Sequence, residues 1–137
     1  MTVDNVTEWR NMITVLNRFL NKKYLNLETF RKNGVSVRTP VWFVQDGDAL
    51  FVRTVANSGK VKRIRNNDQV NIAPCKMDGV LLGDWVQAVA REVKDQEIDR
   101  KVDHLLGKKY GMIKTMFTLA GGLNGRKNTI LEMKVSE

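Results

Sequence analysis

Three turn signals, Asn33-Gly34, Asp46-Gly47 and Asp78-Gly79, punctuate the middle of the chain and constrain its fold more than any other feature. Each lies between segments rich in β-branched and aromatic residues, and each supplies the positive backbone φ that a tight hairpin turn requires. The flanking segments, residues 24–30, 35–44 and 49–54 around the first two turns and 70–75 and 85–93 around the third, read as strands, with 129–135 as a last one. An antiparallel meander is the simplest arrangement. Within 35–44, the two-residue repeat puts Val35, Val37, Thr39, Val41 and Phe43 on a core face and Ser36, Arg38, Pro40, Trp42 and Val44 on a mixed one. The expectation is a mainly β (α+β) fold whose six antiparallel strands close into a small barrel, which removes exposed edges.

Helices are expected at the margins. Val6, Trp9, Ile13, Leu16 and Leu20 recur at helical spacing, so a first amphipathic helix should pack over a barrel end. A second, short helix should run to about Asn66, capped by Asn57 or Ser58, whose side chains can accept from orphan N–H groups. A third spans 95–109: Ile98, Val102, Leu105 and Leu106 form its stripe, and acidic residues at its start and lysines at its end suit the helix dipole. Residues 112–125 read as a helix followed by a glycine-rich loop.

Composition narrows the functional classes. With 137 residues, 42% of them hydrophobic, the chain suits one domain, residues 1–137. No apolar run reaches the roughly 20 residues of a spanning helix, so a soluble, cytoplasmic protein without a membrane span is expected. A single cysteine, Cys75, and a single histidine, His104, cannot build a zinc site of the usual type, and no metal is expected. His104 lies off its helix's stripe and reads as solvated; Cys75 reads as a small buried strand residue. The net charge of +8 favours anionic partners, among them nucleic acid and phosphorylated ligands.

One stretch suggests which. Phe51-Val52-Arg53-Thr54 is followed by Ser58-Gly59-Lys60-Val61-Lys62-Arg63-Ile64-Arg65, placing hydroxyls, a small-residue turn and a run of cations where a strand hands over to a helix. Such a junction holds phosphate well, because N–H groups at a helix start point at the ligand and the dipole favours negative charge.

Taken together, Arg38-Thr39-Pro40-Val41-Trp42-Phe43, the Asp46-Gly47-Asp48 turn, Phe51 to Thr54, Ser58 to Arg63, Val70 to Cys75 and Lys108-Lys109-Tyr110-Gly111 resemble the pyridoxamine 5'-phosphate oxidase-like proteins. The likeness is greatest to the branch of flavin and deazaflavin oxidoreductases that includes enzymes using coenzyme F-420. The resemblance implies an FMN-binding split β-barrel. It also implies that Arg38, Thr39, Pro40 and Val41 line an isoalloxazine-type ring, and that Thr54, Ser58 and Lys60, with the intervening Gly59, hold a phosphate. Lys62, Arg63 and Arg65 extend the positive field, and a deazaflavin coenzyme with a polyglutamate tail would use more of these cations than FMN. No catalytic side chain is named, since in such enzymes hydride chemistry belongs to the cofactor. A homodimer with the cofactor at its interface and a small-molecule substrate is implied. Two other readings remain: a non-catalytic flavin or deazaflavin carrier, and a small basic barrel that binds single-stranded nucleic acid. The second is disfavoured, because the cations cluster on one helix and near the C-terminal loop instead of alternating with aromatics along strands.

Overall fold

The computed structural model describes residues 3–111 and 127–136, with side chains from Val6 onward. The helix-then-loop expectation for 112–125 lies outside the described residues. The elements are α1 (Val3–Asn17), β1 (Tyr24–Phe30), β2 (Ser36–Val41), β3 (Val44–Asp46), β4 (Ala49–Val55), α2 (Gly59–Asn66), β5 (Gln69–Cys75), β6 (Val86–Val93), α3 (Gln96–Tyr110) and β7 (Asn128–Val135). All three turn glycines adopt positive φ: Gly34 at 88°, Gly47 at 61° and Gly79 at 92°.

The strands form one antiparallel sheet in the order β2-β1-β5-β6-β7-β4-β3. Seven strands replace the six expected, because the segment 35–44 changes partners part-way. Its first half pairs with β1, Leu25 opposite Val41, and its continuation pairs with β4, Val44 opposite Phe51. Alternation of side chains runs unbroken through such a switch, so the pattern alone does not reveal it. Nor is the sheet a simple meander: the β1–β2, β3–β4 and β5–β6 hairpins are joined by long-range pairings of β1 with β5 and of β7 with β4 and β6.

The partner switch closes the sheet. β2 and β3 lie at opposite edges of the strand order, yet only Trp42 and Phe43 separate them. Three Cα–Cα steps span at most about 11 Å, so the two edges must meet there. Phe43 is buried at this crossing, edge-to-face with Phe19 at 6.0 Å between centroids. From outside, α3 clamps it. The Tyr110 hydroxyl accepts from Phe43 N (3.1 Å) and donates to Lys23 O (2.7 Å), while the Tyr110 ring stacks on Trp42 at 4.2 Å.

Lys109 completes the clamp. Although the residue as a whole is exposed, its ammonium is folded inward, donating to Phe43 O at 2.8 Å and standing 3.5 Å from the Phe43 ring centroid. Loss of water around it pulls its pKa from 10.5 to about 8. Between these two values the folded chain binds fewer protons than the unfolded chain, so this residue's contribution to stability rises with pH across the window and is lost as pH falls through 8. Replacing Lys109 with methionine should remove that slope. The difference in urea midpoint between wild type and variant is expected to widen in favour of the wild type from pH 8 to 10; a constant difference would refute it.

The core fills the barrel with Leu25, Leu27, Leu50, Val52, Ile72 and Leu131, and α2 adds Val61 and Ile64. A second cluster lies between the outer face of β3, β4 and β7 and the Val102–Leu106–Tyr110 stripe of α3. Helix α3 starts as expected: the Asp95 carboxylate accepts from Glu97 N and Ile98 N. Helix α1 is present but rotated from the expected orientation. Met12 and Leu16, with Phe19 in the turn that follows, face the barrel, whereas Val6, Trp9 and Ile13 of the helix and Leu20 after it are 40–54% exposed. The apolar arc of α1 is wider than the barrel end it covers. Val35 is likewise exposed, because β2 is an edge strand that begins after the hairpin.

Candidate functional site

Helices α1 and α2 close opposite mouths of the barrel, and the expected phosphate residues gather at the α2 mouth. Strand β4 ends at Val55, Ser58 N bonds back to Val55 O (3.1 Å), and Lys62 N reaches Ser58 O (3.2 Å) to begin the helix. Ser58 is therefore the N-cap residue, but its side chain makes no cap bond; its Oγ is buried and unpartnered. The first N–H groups of α2 have no acceptor within the helix and point the same way. Buried polar atoms are seldom left unpaired without a functional or solvent partner.

Two cations cross this mouth from α2. Lys60 Nζ donates to Thr54 Oγ1 at 3.0 Å, and Arg63 Nε donates to Thr29 Oγ1 at 2.7 Å. The Arg63 guanidinium lies over the helix start, where a Cβ on Gly59 would come within 2.6 Å of Nη1; any side chain there would push the arginine aside. Burial, then repulsion from Arg63, lowers the Lys60 pKa; burial, then repulsion from Arg31, lowers that of Arg63. Among the described residues none of Lys60, Arg63 and the neighbouring Arg31 has a carboxylate partner. A cluster of partly desolvated like charges beside an orphan hydroxyl is chemically incomplete, and an anion such as a phosphate would supply what it lacks.

Strand β2 forms the adjoining wall. Among the described residues it has β1 on one side and no strand on the other, and the 52–55 half of β4, beyond its pairing with β3, is also open on one side. These open edges form the split in the barrel, and backbone N–H and C=O groups along an open edge are free to bond a ligand. Pro40 fits there because it has no N–H to contribute to a ladder. Val37, Thr39 and Val41 share the inward face, opposite Thr29, Leu27 and Leu25 respectively. Thr39 thus stands about 7 Å along the strand from the point where Thr29 anchors Arg63.

Arg38 points the other way. On the outer face its Nε donates to Glu28 Oε2 at 2.8 Å and its guanidinium lies 4.9 Å over the Trp85 ring. Asn71 holds the other Glu28 oxygen at 2.8 Å. Burial of Glu28 opposes ionisation, but the hydrogen bonds from Asn71 and Arg38 outweigh it and keep the carboxyl below its ordinary range. The structure therefore brings Thr54, Ser58, Gly59, Lys60 and Arg63 together, sets Thr39, Pro40 and Val41 along the split, and ties Arg38 into an outward network. Thr29 and Arg31 belong to the same mouth and were not anticipated, since only the β1 pairing brings them there.

Side chains suited to independent chemistry are scarce. Among the described residues no group of three or more His, Cys, Asp or Glu could hold a metal ion. His104 is exposed; Cys75 is buried, and burial followed by the charge of Asp78 pushes its thiol pKa up, away from the reactive thiolate. No described helix is long and apolar enough to cross a membrane.

The family model for pyridoxamine 5'-phosphate oxidase matches residues 14–137. The chain belongs to that family. Solved structures share the oxidase-family fold at low identity. The heme storage protein HutZ from Vibrio cholerae is 17% identical, with a TM-score of 0.68 and coverage of 91% of this chain and 89% of that one. A FAD-binding protein from Mesorhizobium loti is 10% identical, with a TM-score of 0.61 and coverage of 91% and 87%. An F-420 reductase is 17% identical, with a TM-score of 0.57 and coverage of 88% and 92%. No curated protein matches in sequence. The three neighbours carry different ligands in their names, so for this oxidase-family member the choice rests on its own residues.

Proposed function

We propose that the chain is an oxidoreductase that binds coenzyme F-420 or FMN in the split of the barrel and moves a hydride or electrons between it and a small organic acceptor. The observation that carries this reading is the α2 mouth: Ser58 Oγ orphaned, Lys60 bound to Thr54, and Arg63 drawn over Gly59, all beside the open edge of β2. The phosphate would lie on these groups, and the ring along the backbone of Thr39, Pro40 and Val41. Arg38 would reach the ring only by leaving Glu28, so its role there is an electrostatic one unless that pair opens. The bound cofactor supplies the redox chemistry; the chain orients it, neutralises its phosphate and keeps water from its buried face. Arg31 and Lys62 widen the positive field in the way a polyanionic tail would use, whereas Arg65 is taken up by a two-point pair with Glu92 at 2.9 and 3.1 Å.

The cofactor site is completed, in this reading, by a homodimer. Met77, Val80, Leu81 and Leu82 expose a contiguous apolar loop between β5 and β6, beside the outer face that carries Trp85 and Arg38. Exposed clusters of this kind mark association surfaces. Sedimentation at micromolar concentration is expected to give twice the chain mass, and Leu82→Asp to shift the protein toward monomer.

Turnover separates the enzyme from a mere carrier. Protein loaded with reduced coenzyme F-420, or with FMN and a reductant, should reduce quinone, nitroarene or enone acceptors faster than the free cofactor does. Tight binding without acceptor reduction would instead favour a cofactor carrier.

A further inference from the structure

We propose that the α1 mouth carries a second binding groove, specific for a small organic cation with an apolar or aromatic body. The groove runs between α1 and the end of β7, has a volume of about 510 Å³, and is lined by Glu8, Trp9, Met12, Val15, Val135 and Ser136, with Asn11 at its rim. It is separated from the α2 mouth by the length of β7 from Thr129 to Val135, about 20 Å.

Three features of the lining point to one ligand chemistry. Met12 and Val135 pack on the core and give the groove an apolar floor, while Trp9 leaves 54% of its surface open beside it. Such a volume lies within the range of small-molecule sites, which are mainly apolar with a few convergent polar groups. The polar groups here are Ser136 Oγ, buried with no hydrogen-bond partner, and the Glu8 carboxylate, which has no ion pair among the described residues. The Ser136 backbone is held by its own N–H, which donates to Gln87 O at 2.9 Å.

Charge decides the class. The chain carries a net charge of +8, yet the described residues that line this groove include one carboxylate and no lysine or arginine. An ammonium group here gains the Glu8 charge and the Trp9 ring face, and its N–H can donate to Ser136 Oγ. A carboxylate ligand could accept from the Ser136 hydroxyl but is repelled by Glu8 and gains nothing from the Trp9 ring face.

The test uses phenethylamine, 2-phenylethanol and phenylacetate, which share a body and differ in head group, against ¹⁵N-labelled full-length protein. The Trp9 indole N–H and the Ser136 amide are followed, the former assigned with Trp9→Phe. Phenethylamine is expected to shift both saturably, phenylethanol to bind several-fold more weakly, and phenylacetate to leave them unmoved. Glu8→Gln, at an exposed position that does not support the core, should weaken the amine about twofold to fivefold and leave the alcohol unchanged. Lys60→Ala should not alter the amine titration, which keeps this outcome independent of the cofactor reading. Equal affinity for amine and alcohol, shifts confined to the α2 mouth, or no saturable shift with any of the three would overturn the proposal.

Discussion

Replacing Phe43 with alanine is expected to lower the unfolding free energy by about 3–5 kcal/mol, the range for deleting a buried aromatic side chain from a packed core. The ring is 1% exposed. It packs edge-to-face on Phe19 and under the Lys109 ammonium, so the deletion removes an aromatic pair and a cation–π contact as well as buried area. The ring sits where residues 42 and 43 join the two edges of the sheet, a backbone link that the substitution leaves intact. The backbone bonds from Phe43 to Tyr110 and Lys109 survive the substitution, so the fold should persist with a lower urea midpoint and an unchanged m-value. A loss below about 1 kcal/mol would mean that the crossing is held by the α3 clamp alone.

The double variant Lys60→Ala, Arg63→Ala carries the largest expected effect on binding. A hydrogen bond to a charged group contributes about 1.5–3 kcal/mol, and two such groups on one phosphate are not fully additive. Together they should weaken cofactor binding by about 2–5 kcal/mol, roughly 30-fold to several thousandfold in Kd. Stability without cofactor should change little. The side chains lose their contacts with Thr54 and Thr29, but the variant also relieves the burial of both cations, and the repulsion between Arg63 and Lys60, that hold them below their ordinary pKa values. A variant that folds normally and binds as well as the wild type would remove the phosphate role from this mouth.

Much of the grouping at the α2 mouth was legible because its residues lie close in sequence. Thr54, Ser58, Gly59 and Lys60 fall within seven positions, and the hand-over from strand to helix that aligns them is a local event. Thr29 and Arg31 were illegible for the opposite reason: they reach Arg63 only through the pairing of β1 with β2 and the packing of α2 against β1. The Glu28–Arg38 pair is hidden in the same way. Residues 28 and 38 become cross-strand neighbours only once the Asn33-Gly34 turn sets the register, and Trp85 arrives from β6's approach, far along the chain.

The fold class followed from the turn pairs and the strand alternation, but two features did not. Alternation continues smoothly from Val35 to Val44, so it conceals the change of partner that makes two strands of one. Helix α1 has an apolar arc broad enough to satisfy either of two orientations, and spacing does not say which part meets the barrel. The structure buries Leu16 and Phe19 and leaves Trp9 outside.

The most direct measurement is a fluorescence titration of the purified apo-protein with coenzyme F-420 and, separately, with FMN. Saturable binding of at least one, competed by inorganic pyrophosphate and weakened in the Lys60→Ala, Arg63→Ala variant, is the predicted result. Binding of neither by a folded protein would contradict the assignment of the α2 mouth and the β2 edge as a cofactor site.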